Sequence, residues 1–157
     1  MNRRQAPRLA DLILARLPAG GTVGVLGLSY KPHTDVIDES QGVALAHQLL
    51  KQEVRVVVYD PMAMGNAQRV LTGNITFAGS AVECAEASDV LALTTDWPEF
   101  RELRPENLKN GGVHSTVVDC WRLLDRDAFI SATDYVILGL CPDGGPVWET
   151  AAASVRA

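Results

Sequence analysis

The sequence predicts an α/β fold, a doubly wound and mostly parallel sheet of about six strands with helices on both faces. Two observations carry this. Short apolar runs alternate with segments of helical period about six times along 157 residues, and that order favours right-handed crossovers between parallel strands. The runs are also apolar throughout instead of alternating with polar residues, the pattern of strands covered on both faces.

In chain order, Met1 to Pro7 reads as a flexible lead. Leu9, Leu12, Ile13 and Leu17 then form a helical stripe that Pro18, Gly20 and Gly21 stop. Thr22-Val-Gly-Val-Leu-Gly-Leu28 is a buried strand, followed by a polar loop from Ser29 to Glu39. Ser40 suits the N-cap of a helix carrying Val43, Leu45, Ala46, Leu49 and Leu50. Val54 to Tyr59 is a second strand, ended by Asp60-Pro61, with a helix over Met62 to Leu71 and a weak strand at Asn74 to Phe77. A helix over Ser80 to Ala87, a strand at Asp89 to Leu93 and a helix opening at Trp97-Pro98 follow. Ser115 to Asp119 and Tyr135 to Leu138 are the last strands, with helix near Asp125 to Ser131 between them. Residues 1–140 therefore read as a single Rossmann-like domain with an N-terminal lead helix. Residues 141–157, rich in Pro, Gly and Ala, read as a tail without periodicity.

With 47% hydrophobic and 21% charged residues, the chain suits one folded soluble domain. No apolar run reaches the roughly 20 residues that span a bilayer, and the polar, basic start lacks the apolar core of a secretion signal. A cytoplasmic protein without membrane contact is expected. A net charge of −5 argues against a nucleic-acid surface, which needs a basic face. Cys84, Cys120 and Cys141 are widely spaced, as are His33, His47 and His114. Free thiols and no metal site are expected.

Ligands of such folds bind outside the carboxyl ends of the strands, near the reversal of strand order. That directs attention to the segments after each strand. A dinucleotide turn needs Gly-x-Gly-x-x-Gly; here Gly24 and Gly27 are followed by Ser-Tyr-Lys-Pro-His-Thr-Asp35, so no tight pyrophosphate turn is encoded. The loop does offer Lys31, a mobile charge suited to phosphate, and the hydroxyls of Thr34 and Ser40 near a helix start. The plainer alternative is a solvated lysine and a simple cap. Asp60-Pro61 reads as a turn and helix start, and Asp96-Trp97-Pro98 as a helix start with a packed indole. Cys120 and Cys141 follow strands but read as small apolar fillers.

The run from Gly24 to Ser40, Gly-Val-Leu-Gly-Leu-Ser-Tyr-Lys-Pro-His-Thr-Asp-Val-Ile-Asp-Glu-Ser, resembles the opening of the C-terminal domain of the UDP-glucose/GDP-mannose dehydrogenases. The resemblance continues through Val58-Tyr-Asp-Pro61, Ala87-Ser-Asp89, Thr95-Asp-Trp-Pro-Glu-Phe100 and Val117-Val-Asp119, in order and with matching spacing. Asn2-Arg-Arg-Gln5 is similar to the family's lead into this domain.

The resemblance implies enzymes that oxidise the C6 alcohol of a nucleotide-sugar in two NAD-dependent steps, with a cysteine nucleophile. Their C-terminal domain contributes to holding the nucleotide, and Lys31 matches the lysine expected to contact it. A UDP-sugar is thus the implied ligand, with Lys31, Thr34, Ser40 and Arg122 as candidate contacts. No Gly-x-Gly-x-x-Gly precedes Thr22, and no cysteine has the glycine-rich context of the family nucleophile. The expectation is a domain without catalytic residues, not active alone and binding no cofactor by itself, with NAD implied only for the full family enzyme. The chain departs from the family pattern twice. Asp38 stands where an arginine is usual, and one misplaced unit charge at contact is worth about 1 kcal/mol even in water. Asp119-Cys-Trp-Arg122 replaces Asp-Gly-Arg-Asn, so Trp121 occupies the arginine's place. Three readings stay open: a nucleotide-sugar-binding module, one part of a split dehydrogenase completed by a separate chain, and a structural or regulatory remnant. A homo-oligomer is compatible with each.

Overall fold

The computed structural model describes residues 5–140 and 146–150. Seven strands form one sheet: β1 (Thr22–Leu26), β2 (Arg55–Tyr59), β3 (Ile75–Phe77), β4 (Val90–Leu93), β5 (Thr116–Asp119), β6 (Asp134–Leu140) and β7 (Pro146–Thr150). Their order is β3-β2-β1-β4-β5-β6-β7. The first six are parallel, and β7 pairs antiparallel with β6. The chain runs outward from β1 through β2 to β3, then returns to the other side of β1 at β4. The reversal therefore falls between β1 and β4.

Helices α1 (Gln5–Leu14), α2 (Gln41–Lys51), α3 (Met64–Gln68), α4 (Ala81–Ala87) and α5 (Arg126–Ala132) complete the described fold, with three 3₁₀ segments between β4 and β5. Side chains alternate across each strand, so one sheet feeds two cores. Val23, Val25, Val56, Val58, Val90 and Ala92 join Leu9, Ile13, Leu45 and Leu49 on one face. Leu26, Val57, Leu91, Leu93 and Val117 join Cys84, Phe100, Phe129 and Tyr135 on the other. That is why the strands read as continuous apolar runs: both faces are covered, as expected for the doubly wound class. Among the described residues no helix is long and apolar enough to cross a membrane.

Several boundaries differ from the sequence reading, each for a local reason. Helix α1 begins at Gln5, four residues before the expected stripe, with Pro7 in the first turn, where its missing N–H costs nothing. The segment after Trp97 is 3₁₀, Pro98–Glu102, stopped by a second proline at position 105. Helix α3 is only Met64–Gln68. The stretch taken as a tail contains β7, which extends the sheet beyond residue 140. A seven-residue β6 at the margin presents a row of free backbone groups, and those pair even with a segment lacking strand periodicity. Residues 1–4 of the expected lead, Cys141 and residues 151–157 lie outside the described residues.

The turn from β1 depends on Gly27. Its φ is +108°, and a Cβ there would strike the backbone and side chain of Thr95. The Gly27 N–H donates to the Tyr59 carbonyl (2.9 Å), and Gly42 of α2 packs so closely that its own Cβ would meet the Gly27 carbonyl. Strand, loop and helix thus meet with no room for a side chain at either glycine. Gly27→Ala should lower the unfolding free energy by about 3 kcal/mol or more. Gly65→Ala, on an exposed helical site with nothing within 4 Å of the added Cβ, should raise it by about 0.5–1 kcal/mol. Urea unfolding of both variants checks the pair; equal effects would refute the packing account.

Candidate functional site

At the carboxyl edge of the sheet the loop after β1 is fixed by a carboxylate from the end of β2. Asp60 is 1% exposed. Its Oδ1 accepts the backbone N–H groups of Met62 (2.9 Å) and Ala63 (2.8 Å), the turn toward α3 that Asp-Pro predicts. Its Oδ2 accepts from the other direction: the N–H groups of Leu28 (2.8 Å) and Ser29 (2.9 Å) and the Ser29 hydroxyl (2.9 Å). The Trp97 indole N–H is shared between Ser29 Oγ (2.9 Å) and Asp60 Oδ2 (3.1 Å). One side chain therefore ties β2, the β1 loop and the segment after β4 together. Turned inward and fully engaged, it has no free oxygen for a ribose.

β4 contributes a second set of ties. The Thr94 hydroxyl donates to the carbonyls of Leu26 (3.1 Å) and Gly27 (2.7 Å), and the Thr95 hydroxyl to the Ser29 carbonyl (2.9 Å). Beyond Ser29 the loop is open to solvent. Tyr30 and Lys31 are exposed, and His33 stands edge-on to Trp97 with ring centroids 5.2 Å apart. His33 (φ 64°) and Glu39 (φ 60°) are both left-handed, a conformation non-glycine residues hold only when their surroundings fix it. Asn66 Nδ2 donates to the Asp35 carbonyl (2.8 Å), binding the loop to α3.

At the end of β5 a second buried carboxylate, Asp119, accepts from the Leu124 N–H (3.0 Å), the Tyr135 hydroxyl (2.6 Å) and the Trp121 N–H (3.1 Å). Burial and the nearby Asp119 charge push the Tyr135 phenol well above the usual tyrosine range. Arg122 follows, exposed and left-handed at φ 55°.

The four candidate contacts sit at one sheet edge but in different settings. Lys31 is exposed and free of ion pairs among the described residues. Thr34 is half-buried, its hydroxyl accepting from the Val36 N–H (3.2 Å). Ser40 is buried, its hydroxyl oxygen capping α2 at the Val43 N–H (3.1 Å). Arg122 lies in the loop after β5, across β4 from the other three. The contributors that sequence reading passed over are Ser29, Thr94, Thr95 and the second half of Asp60's bonding. An Asp at a strand end signals both a turn and a cross-strand clamp, and only the fold tells them apart.

A dinucleotide does not fit this edge in the usual way. The loop from Gly27 to Ser40 is long and not a tight glycine turn, the cap of α2 is occupied by Ser40, and exposed Asp38 and Glu39 flank the helix start where a pyrophosphate would lie. A separate cavity of about 280 Å³ opens near the amino ends of β4 and β5, lined by residues including Arg16, Asp89, Lys109 and His114. Its main charges are already paired, Arg16 with Asp134 (3.3 Å) and Lys109 with Asp89 (3.1 Å).

A doubly wound sheet with a lysine-bearing loop beside its switch point is an architecture whose ligands bind at the carboxyl edge of the strands. Comparison with known proteins narrows the class. Residues 24–126 match the UDP binding domain of the UDP-glucose/GDP-mannose dehydrogenase family, and the chain belongs to that family. It is 38% identical to a UDP-glucose 6-dehydrogenase of Haloferax volcanii over 107 residues, 68% of this chain and 25% of that protein. It is 28% identical to the Rickettsia conorii enzyme of the same description, over 80% of this chain and 30% of that protein. A UDP-glucose dehydrogenase structure from Pyrobaculum islandicum superposes with a TM-score of 0.60 at 37% identity, covering 74% of this chain and 25% of that one. The chain thus spans between a quarter and a third of the length of these relatives.

Two outcomes test the site's framework. Asp60→Ala removes the acceptor of six backbone and side-chain donors, of which the Trp97 indole keeps Ser29 Oγ, and should cost about 4 kcal/mol, whereas Asp60→Asn, keeping one acceptor oxygen, should cost about 2 kcal/mol. Chemical denaturation at neutral pH checks the order, and a neutral Asp60→Ala would refute the clamp. The second outcome concerns pH. Burial pushes the Cys84 thiol from 9.0 up to about 12, and burial beside Asp119 raises Cys120 likewise. Below pH 9 both folded and unfolded chains hold these protons; above it the unfolded chain releases them first. Stability should therefore fall as pH rises from 9 toward 12, by up to about 1.4 kcal/mol per unit for each thiol. Cys84→Ala should make that decline shallower, and unfolding midpoints measured across the interval would show it.

Proposed function

We propose that this domain holds a UDP-sugar or related nucleotide at its carboxyl edge, with Lys31 on the phosphates and Arg122, Thr34 and Ser40 near them. The match of residues 24–126 to a UDP binding domain carries the reading. The exposed, unpaired Lys31 beside the β1/β4 switch point supports it. A mobile ammonium on a loop anchored through Ser29 suits a diphosphate: the anchor limits the entropy lost on binding, and the charge-assisted bonds supply affinity.

The proposed role is binding, not turnover. Burial pushes the thiols of Cys84 and Cys120 upward, away from the thiolate that nucleophilic attack requires. The oxidation implied for the family would then draw its nucleophile and its NAD site from the parts of the relatives that this domain does not span, on the same or a separate chain.

Calorimetric titration with UDP, UDP-glucose, GDP-mannose and NAD tests this. UDP and UDP-glucose should bind and NAD should not, and Lys31→Ala should weaken UDP by roughly 10- to 100-fold, the value of a charge-assisted hydrogen bond. Absence of UDP binding at millimolar ligand, or affinity untouched by Lys31→Ala, would overturn the assignment.

A further inference from the structure

We propose that Trp121 is the platform on which the base of the bound nucleotide stacks, an inference that rests on the nucleotide-binding reading above. Trp121 is 51% exposed, unusual for the largest apolar side chain in a domain whose other indole on this edge, Trp97, is only 5% exposed. The ring is not loose. Its Nε1–H donates to the Thr94 carbonyl (3.2 Å), and its backbone N–H donates to Asp119 Oδ1 (3.1 Å). Asp119 is itself pinned by Leu124 and by the Tyr135 hydroxyl. Anchored at the backbone and at the far edge of the indole, the side chain has little rotational freedom left to lose.

The anchor also fixes where the ring lies. Thr94, which accepts the indole N–H, sends its own hydroxyl to the Gly27 carbonyl at the end of β1. The polar edge of Trp121 is thus one residue from the β1/β4 switch point, on the same sheet edge as Lys31 and Arg122. With the N–H spent on protein, the ring has only its π face to offer. A flat π face at the same sheet edge as two exposed cations, Lys31 and Arg122, suits a molecule that is planar at one end and anionic at the other, as a nucleoside diphosphate is. Aromatic stacking with a base meets the planar end, and the cations meet the phosphates.

The test uses the chain with UDP and, separately, inorganic pyrophosphate as probes, following tryptophan fluorescence and calorimetric affinity in wild type, Trp121→Phe and Trp121→Ala. UDP should quench the wild-type signal, and Trp121→Phe should abolish most of that change while keeping UDP affinity within a few-fold. Trp121→Ala should weaken UDP by roughly 5- to 150-fold, the range for loss of one base stack, and leave pyrophosphate affinity unchanged, which also shows that the variant is folded. UDP affinity unaffected by Trp121→Ala, or UDP and pyrophosphate weakened alike, would overturn the stacking role while leaving the nucleotide reading intact. Failure of wild type to bind UDP would overturn both.

Discussion

A buried carboxylate that forms no ion pair among the described residues is the constraint from which the carboxyl edge of this sheet follows. Removing Asp60 from water without an ion pair costs several kcal/mol, and only donors aimed at both oxygens offset that. The chain supplies them from three places that are distant in sequence: residues 28–29, residues 62–63 and Trp97. Because the carboxylate cannot be left unsatisfied, these segments are held together or the cost returns in full. Lys31 lies two residues beyond Ser29, the last residue of the loop held by this clamp. The base of the loop is held by this clamp, while the Lys31 side chain is exposed.

Asp119 repeats the device three strands away, with Tyr135, Leu124 and Trp121 as donors. Two buried acids thus brace the loops on either side of β4. Among the described residues no buried side-chain nitrogen or oxygen lacks a partner, so the polar groups under the site are fully committed to architecture. The side chains this edge leaves exposed include Lys31, Arg122 and Trp121.

The sheet was legible in the sequence because strands buried on both faces leave continuous runs such as Val56-Val57-Val58 and Val90-Leu91-Ala92-Leu93, and because Ser40, Ser80 and Asp125 announce the helices they cap. The strand-end rule directs attention to the loops after β1, β4 and β5, and the indole of Trp97 is packed, as Asp96-Trp97-Pro98 suggests. The bonding partners were not legible. Ser29 and Asp60 are 31 residues apart, and Trp97 lies 37 beyond Asp60; no local pattern encodes a contact made only when β1, β2 and β4 lie side by side. β7 was missed because its strand state comes from the free edge of β6 and not from its own composition.

That last strand changes what counts as the domain. The sheet finishes differently at its two margins. On one side β3 is three residues long, too short to template another chain. On the other, β6 runs for seven residues with Tyr135 and Val136 in its apolar core segment, and β7 folds back across it. A fragment cut after residue 140, where the sequence suggests a boundary, would expose that ladder along its full length. Such a fragment would keep every residue of the proposed site and still be prone to self-association through its bare strand, so solubility and binding would part company at a boundary that composition alone recommends.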